Sequence, residues 1–215
     1  MSVPRVLPLG DSAITVRLGE EKSPSLLHEI HSAAARIRAE RLEYVDDVVP
    51  AYLAVTVFYD SLKRSYAEIA AEIIGILSAP RVVAPMEQFR QHVIPVRYDG
   101  LDLDAVAVAT GLSVDEVIRL HTGGTYTVDL LGFVPGWAYL SELDARLQIP
   151  RRPQPRPRVA AGSVAIAATQ TGVYPLDTPG GWHILGTTDS VMFDAMRDPP
   201  ALLNAGDRVR FESIA

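Results

Sequence analysis

The sequence predicts an α+β unit of the ferredoxin-like kind followed by a mainly β domain, either a small barrel or a sandwich. Three observations carry this reading. The first hundred residues run in the order β-α-β-β-α-β. Beyond them, short apolar runs are separated by Gly and Pro. Between the two, Asp99–Asp104 (DGLDLD) reads as a linker, which divides the chain into residues 1–98 and 99–215.

The elements follow in order. Ser12–Leu18 (SAITVRL) alternates apolar and polar residues, as a half-buried strand does. Ser23 can cap a helix with Pro24 in its first turn; Leu26, Leu27, Ile30, Ala34 and Ile37 then form one apolar stripe. Tyr44–Val49 and Tyr52–Tyr59 are strand-like runs split by Pro50. Ser65 and Glu68 have capping-box spacing ahead of Ile69, Ile73, Ile74 and Leu77. Phe89–Val96 supplies the sixth element, a strand closing the first unit. A second capping box, Ser113 to Glu116, opens a helix after the linker. Tyr126–Phe133, Ser163–Ala168, Gly172–Tyr174, His183–Gly186 and Arg208–Phe211 are the short strands of the second domain.

Composition narrows the function. The 215-residue chain is 48% hydrophobic and 21% charged, a normal globular balance. Its net charge of −6 argues against general nucleic-acid binding, which needs a basic surface. It has no cysteine, which excludes disulfides, thiolate metal sites and a cysteine nucleophile. No export signal opens the chain, and no stretch approaches the ~20 apolar residues of a membrane span, so the expectation is a cytoplasmic protein. P-loop, dinucleotide-fold, zincin and serine-elbow motifs are all missing. ATP, if used, is bound by other means or by a partner.

Candidate chemistry concentrates in Leu131–Thr188. Glycines and prolines stand beside Trp137, Tyr139, Tyr174 and Trp182; such a mixture suits a ligand pocket, though barrel corners with packing aromatics read the same way. Arg151, Arg152, Arg156 and Arg158 lie on the Pro-rich segment Pro150–Arg158, where guanidinium forks could hold phosphate or carboxylate or dock a partner. His183 follows the GGW turn six residues after Asp177, so an Asp–His pair for proton transfer is a candidate. His28 and His31 share a helix face and read as exposed. His92 falls in a strand. His121 ends a helix, where an imidazolium would suit the dipole; either of these two could equally be purely structural.

The stretches LGFVPGWAYL, IPRRPQPRPRVAAGSVAIA, QTGVYP and PGGWHILG resemble the 5-oxoprolinase B-subunit family, also called the KipI or allophanate hydrolase subunit 1 family. GDSAITVRLGE, VPAYLAVTVFYD, IPVRYDG and GLSVDEVIRLHTGGTYTV extend the resemblance over nearly the whole chain. It implies an α+β N-terminal domain and a cyclophilin-like β-barrel. It also implies a subunit that, with homologues of the C and A subunits, opens 5-oxoproline to glutamate at the expense of ATP, with magnesium accompanying the nucleotide. Two other roles come with the family: a KipI-like inhibitor of a histidine kinase, and a carboxyltransferase partner in urea or allophanate metabolism.

Carried over by motif, the substrate- or nucleotide-binding candidates are Phe133, Pro135, Gly136, Arg151, Arg152, Arg156, Gly162, Ser163, Gln170, Tyr174, Gly180, Gly181 and Trp182. Asp177 and His183 are the catalytic candidates, and no metal site is expected. The sequence also departs from the family pattern. Trp137 stands for Phe, Ala138 for Pro, Ser141-Glu142 for Gly-Gly, Ala160 for Pro, Ala168 for Gly and Thr187 for Arg. The last change implies a lost positive charge near the PGGW strand.

Overall fold

A computed structural model describes residues 5–21, 23–79 and 89–215. The chain forms two compact units, Met1–Gln88 and Phe89–Ala215. In the first, β1 (Arg5–Pro8), β2 (Ala13–Arg17), α1 (Pro24–Ala39), β3 (Val45–Pro50), β4 (Ala54–Tyr59) and α2 (Tyr66–Ser78) follow one another. The antiparallel sheet has the order β1-β2-β4-β3. Alternation puts Ile14, Val16, Val55, Val57 and Tyr59 into one core with Ile30, Ala34 and Ile37 of α1 and Ile69 and Ile73 of α2. Both helices start as their caps direct. Ser23 accepts the Leu26 N–H at 3.1 Å, and Ser65 and Glu68 form a reciprocal capping box. His31, expected on the surface, is buried.

The sixth element departs from expectation. In the β2-β4-β3 arrangement, the free edge beside β2 is where a closing strand would pair. That edge carries β1 instead. The run expected there becomes β5 (Gln91–Val96), which pairs in parallel with β13 (Arg208–Ser213) in the second unit. Periodicity identified the strand but not its sheet, because pairing partners far apart in sequence leave no local trace.

The second unit contains α3 (Leu103–Thr110), α4 (Val114–Gly123), β6 (Tyr126–Leu131), β7 (Ala138–Ser141), β8 (Arg156–Val159), β9 (Ser163–Ala167), β10 (Gln170–Val173), β11 (Thr178–Gly180) and β12 (His183–Thr187). Its seven-stranded sheet has the order β12-β9-β10-β7-β6-β13-β5, and β11 and β8 pair separately. The two ends of the sheet meet. Arg97, just past β5, exchanges backbone hydrogen bonds with Thr187 of β12 in both directions at 2.8 Å. The result is a nearly closed, mostly β barrel. Gly186 is obligatory at this seam, since a Cβ there would lie 2.2 Å from the Arg97 carbonyl oxygen.

The linker reading of Asp99–Asp104 is corrected by the same seam. The Gly100 N–H donates to the Leu185 carbonyl (3.1 Å) and the Asp102 N–H to that of Ile184 (3.0 Å). The segment is therefore strapped to β12 and leads directly into α3. Val106, Ala107, Val117 and Leu120 of the two helices join Ile94, Val128, Leu140, Ile166 and Val209 of the strands in the main core. Among the described residues, no helix is long and apolar enough to cross a membrane.

Candidate functional site

Strand β9 is buried on both faces. Val164 and Ile166 enter the main core, whereas Ala165 and Ala167 face a second cluster with Trp137, Val159, Tyr174, Trp182 and Ile184. Small side chains on that face leave room for large rings. Trp137 meets Trp182 edge-on at 4.9 Å between centroids and Tyr174 at 4.7 Å; Tyr139 lies 6.2 Å from Trp182. Perpendicular rings match the aromatic quadrupoles and fix one another. Gly180 is part of the fit: a Cβ there would stand 2.1 Å from the Tyr174 hydroxyl. Burial raises the Tyr174 pKa, against the lowering effect of a backbone hydrogen bond from Trp182.

These rings wall a pocket of about 260 Å³. Phe133, at its mouth, is 61% exposed and holds a left-handed backbone (φ 68°), rare for an aromatic residue and costly to maintain. Arg151, Arg152, Gly181 and Pro155 complete the rim. No lining residue is acidic.

The arginine segment is divided in its roles. Arg156 makes a bidentate pair with Asp102, at 2.9 and 2.7 Å. Arg152 gives one nitrogen to the same carboxylate at 2.8 Å, and its backbone N–H donates to Gly181 at 2.8 Å. Asp102 is 3% exposed and also accepts the Ile184 N–H at 2.8 Å. Burial alone would raise the Asp102 pKa. Hydrogen bonds from Arg156 and Ile184, with the charges of both arginines, outweigh it and hold the carboxyl below its usual range. Arg158 instead pairs with Asp177 at the surface. Arg151 is exposed, with its guanidinium 5.9 Å from the Trp182 ring centroid.

The Asp177–His183 pair expected from the sequence is not made. Asp177 is taken up by Arg158 and by the Ala161 N–H at 2.9 Å. His183 bonds through Nε2 to the Pro150 carbonyl at 2.9 Å, which makes Nε2 the protonated nitrogen. Its ring pins the arginine segment to β12. Phe133, Arg151, Arg152, Tyr174, Gly180, Gly181 and Trp182 are brought together at the pocket. Pro135 is exposed in the adjoining turn, where Gly136 packs against Phe193. Gly162 lies in the β8–β9 turn, its N–H donating to the Tyr174 carbonyl at 2.7 Å, and buried Ser163 opens β9. Gln170 reaches toward buried Asp129 at 3.5 Å, outside the pocket lining. Asp102 is the residue that sequence reasoning missed.

For His121 the structural reading is the one that holds. This histidine is fully buried, stacked on Phe211 at 4.5 Å, and burial lowers its pKa to about 3. It is therefore neutral, not a dipole-stabilising imidazolium. Thr171 spends its hydroxyl hydrogen on the Ala165 carbonyl (3.0 Å), so it accepts from His121 Nε2 (2.8 Å). The Tyr98 hydroxyl then donates to Nδ1 at 2.7 Å. His92, the strand histidine, pairs with Asp207 at 3.0 Å.

Known proteins share this architecture. Residues 4–203 match the family "carboxyltransferase domain, subdomain C and D". The 5-oxoprolinase B subunit of Bacillus subtilis is 40% identical over 96% of this chain and 91% of its own. This chain belongs to the 5-oxoprolinase B-subunit family. The Haemophilus influenzae family member is 32% identical over 96% of both chains. Among solved structures, TTHA0988 superposes with a TM-score of 0.84 at 39% identity over 94% of this chain, which spans 40% of the TTHA0988 chain. The Kluyveromyces lactis urea amidolyase, at 18% identity and a TM-score of 0.77, shares the fold, and this chain covers 15% of it.

Two departures from the family pattern acquire structural meaning. Thr187, in place of the family's Arg, sits at the barrel seam and donates to Asp99 at 3.0 Å, away from the pocket lining. Ala168, in place of Gly, holds φ 49° at the β9–β10 hairpin, a conformation that favours glycine.

Proposed function

We propose that this chain is the B subunit of a cytoplasmic, ATP-dependent 5-oxoprolinase, which with C and A subunits converts 5-oxoproline, ATP and water to glutamate, ADP and phosphate. The observation that carries this reading is the 40% identity, over nearly full length, to a 5-oxoprolinase B subunit. The share of longer chains that the fold occupies in TTHA0988 and urea amidolyase supports operation beside further domains.

Within the assembly, this subunit supplies rigid walls and fixed positive charge rather than a nucleophile or a general base. Arg151 and Arg152 orient an anionic group, and the aromatic walls exclude water from its apolar side. The pocket suits a smaller ligand than ATP with magnesium. Its walls offer no carboxylate to the metal, and about 260 Å³ is below the usual range for drug-sized ligands. On this reading the nucleotide belongs to the partner subunits. The test is co-expression with the C and A homologues, followed by a coupled assay of 5-oxoproline-dependent phosphate release. The three-subunit complex is expected to be active and this chain alone inactive. A complex that assembles without releasing phosphate or glutamate overturns the reading.

A further inference from the structure

We infer that the aromatic pocket is a receptor for a small carboxylate with a flat body, bound by its carboxylate at Arg151 and Arg152, and that it does not take nucleotides. The name of the ligand, 5-oxoproline, rests on the function proposed above; the chemical class does not. Three observations converge. The first is charge. Arg151, Arg152 and Arg156 are accompanied by one carboxylate, Asp102, among their described hydrogen-bonding and ion-pair partners. Asp102 is committed to Arg156 through two bonds and to Arg152 through one. The segment thus carries a surplus of two positive charges beside the pocket in a chain of net charge −6. The second is shape. Trp137 and Trp182, 2% and 5% exposed and held edge-to-face, form a fixed apolar floor with exposed Phe133 at the mouth, a lining that suits a flat ring or amide. The third is size. A pocket of about 260 Å³ matches an amino-acid-sized molecule more closely than a purine with its ribose and phosphates.

The division of labour among the arginines follows. Arg156 is locked by its fork and serves as a positioning residue. Arg152 is shared. Arg151, exposed and close to the Trp182 ring, is the residue with an uncommitted fork to offer.

The protein carries its own reporter, since both of its tryptophans, Trp137 and Trp182, stand in the pocket. The full chain is titrated with 5-oxoproline, with neutral 2-pyrrolidone and with ATP, and tryptophan fluorescence is recorded against a free-indole control for light absorption. Expected are a saturable change with 5-oxoproline, binding at least about tenfold weaker for 2-pyrrolidone, and no saturable change with ATP. Arg151→Gln is expected to weaken 5-oxoproline binding at least about tenfold, and Arg151→Lys to weaken it less. Arg151 is exposed, so both variants retain the fold. In the assembled complex, Arg151→Gln is expected to raise KM for 5-oxoproline and leave KM for ATP unchanged. Equal binding of the neutral analogue, a saturable ATP response, or an unchanged KM in an active Arg151→Gln complex overturns the inference. Carboxylate binding by a chain whose complex has no 5-oxoprolinase activity upholds the pocket and sinks the functional reading alone.

Discussion

Asp102 faces the Arg156 guanidinium fork-on, with oxygen–nitrogen distances of 2.9 and 2.7 Å, at 3% exposure. The same carboxylate holds Arg152 and the Ile184 N–H, so one buried group joins the start of α3, the arginine segment and β12. Replacing it by Asn keeps the shape and removes the charge. Asp102→Asn is expected to destabilise the protein by about 2–3 kcal/mol, measured by urea unfolding, since two partly buried guanidiniums lose their counterion. The sign with pH follows from the lowered pKa. The stabilisation is present above the unfolded value of about 3.9 and is lost as pH falls through the lower folded value. The difference between wild type and variant should therefore be constant from neutral pH to about pH 5 and shrink in stronger acid.

His121 gives a different acid response. Its pKa is about 3 when folded, against about 6.5 when unfolded. Below about pH 6.5 the unfolded chain binds a proton that the folded chain refuses, so stability falls as pH drops from there toward about 3. Between pH 7 and pH 5.5 most carboxylates do not titrate. In that window the urea midpoint of the wild type is expected to fall measurably. His121→Gln, which cannot take up the proton, is expected to be less stable at pH 7 but flatter with pH. Parallel curves for the two proteins would falsify the assignment.

What the sequence made legible follows a physical rule. Helix caps at Ser23, Ser65 and Ser113, alternation in β2 and the short apolar run of β9 are local, and each was readable from a few neighbouring residues. The aromatic and arginine members of the pocket were readable as a composition but not as a geometry. Asp102 looked like one of several loop acids because its partners are 50, 54 and 82 residues away. His121 looked like a helix-end residue because the rings that bury it come from other elements. Neither residue has a periodic signal.

The position of β5 can be tested with fragments. Six residue pairs join β5 to β13, and the Arg90 N–H and His92 both bond to Asp207. We propose that the barrel unit folds by itself only if it includes this strand. A fragment of residues 89–215 is expected to unfold cooperatively. A fragment of residues 99–215 exposes the β13 edge and loses Ile94 and Val96 from the core, and it is expected to aggregate or to melt without a sharp transition. Circular dichroism melts of the two fragments decide between them. Cooperative folding of the shorter one would restore the boundary at residue 98.

Ala168 offers a change expected to stabilise. Its φ of 49° at the hairpin tip carries a steric cost that glycine does not. Ala168→Gly is expected to raise stability by up to about 1 kcal/mol, after the extra freedom of glycine in the unfolded chain is subtracted. A lower melting temperature for the variant would show that the turn is already relaxed with alanine.

The last prediction concerns how the pocket is kept open. Gly180 lies against Tyr174 so closely that a Cβ would stand 2.1 Å from the hydroxyl oxygen and 2.7 Å from Cζ. Gly180→Ala must push the Tyr174 ring, and Tyr174 touches Trp137 at 4.7 Å between centroids. Displacement therefore passes into the aromatic wall rather than into solvent. The variant is expected to lose about 1–3 kcal/mol, the usual cost of overpacking, and to change its tryptophan emission because Trp137 and Trp182 shift. Tyr174→Phe removes the nearer clash but leaves the ring carbon, so it should rescue only part of the loss. In the double variant the two effects are then non-additive, with a coupling of about 0.5–1.5 kcal/mol in the stabilising direction. Simple additivity would mean that the alanine methyl is accommodated by a movement of β11, and that Gly180 is not needed for the ring packing that shapes the pocket.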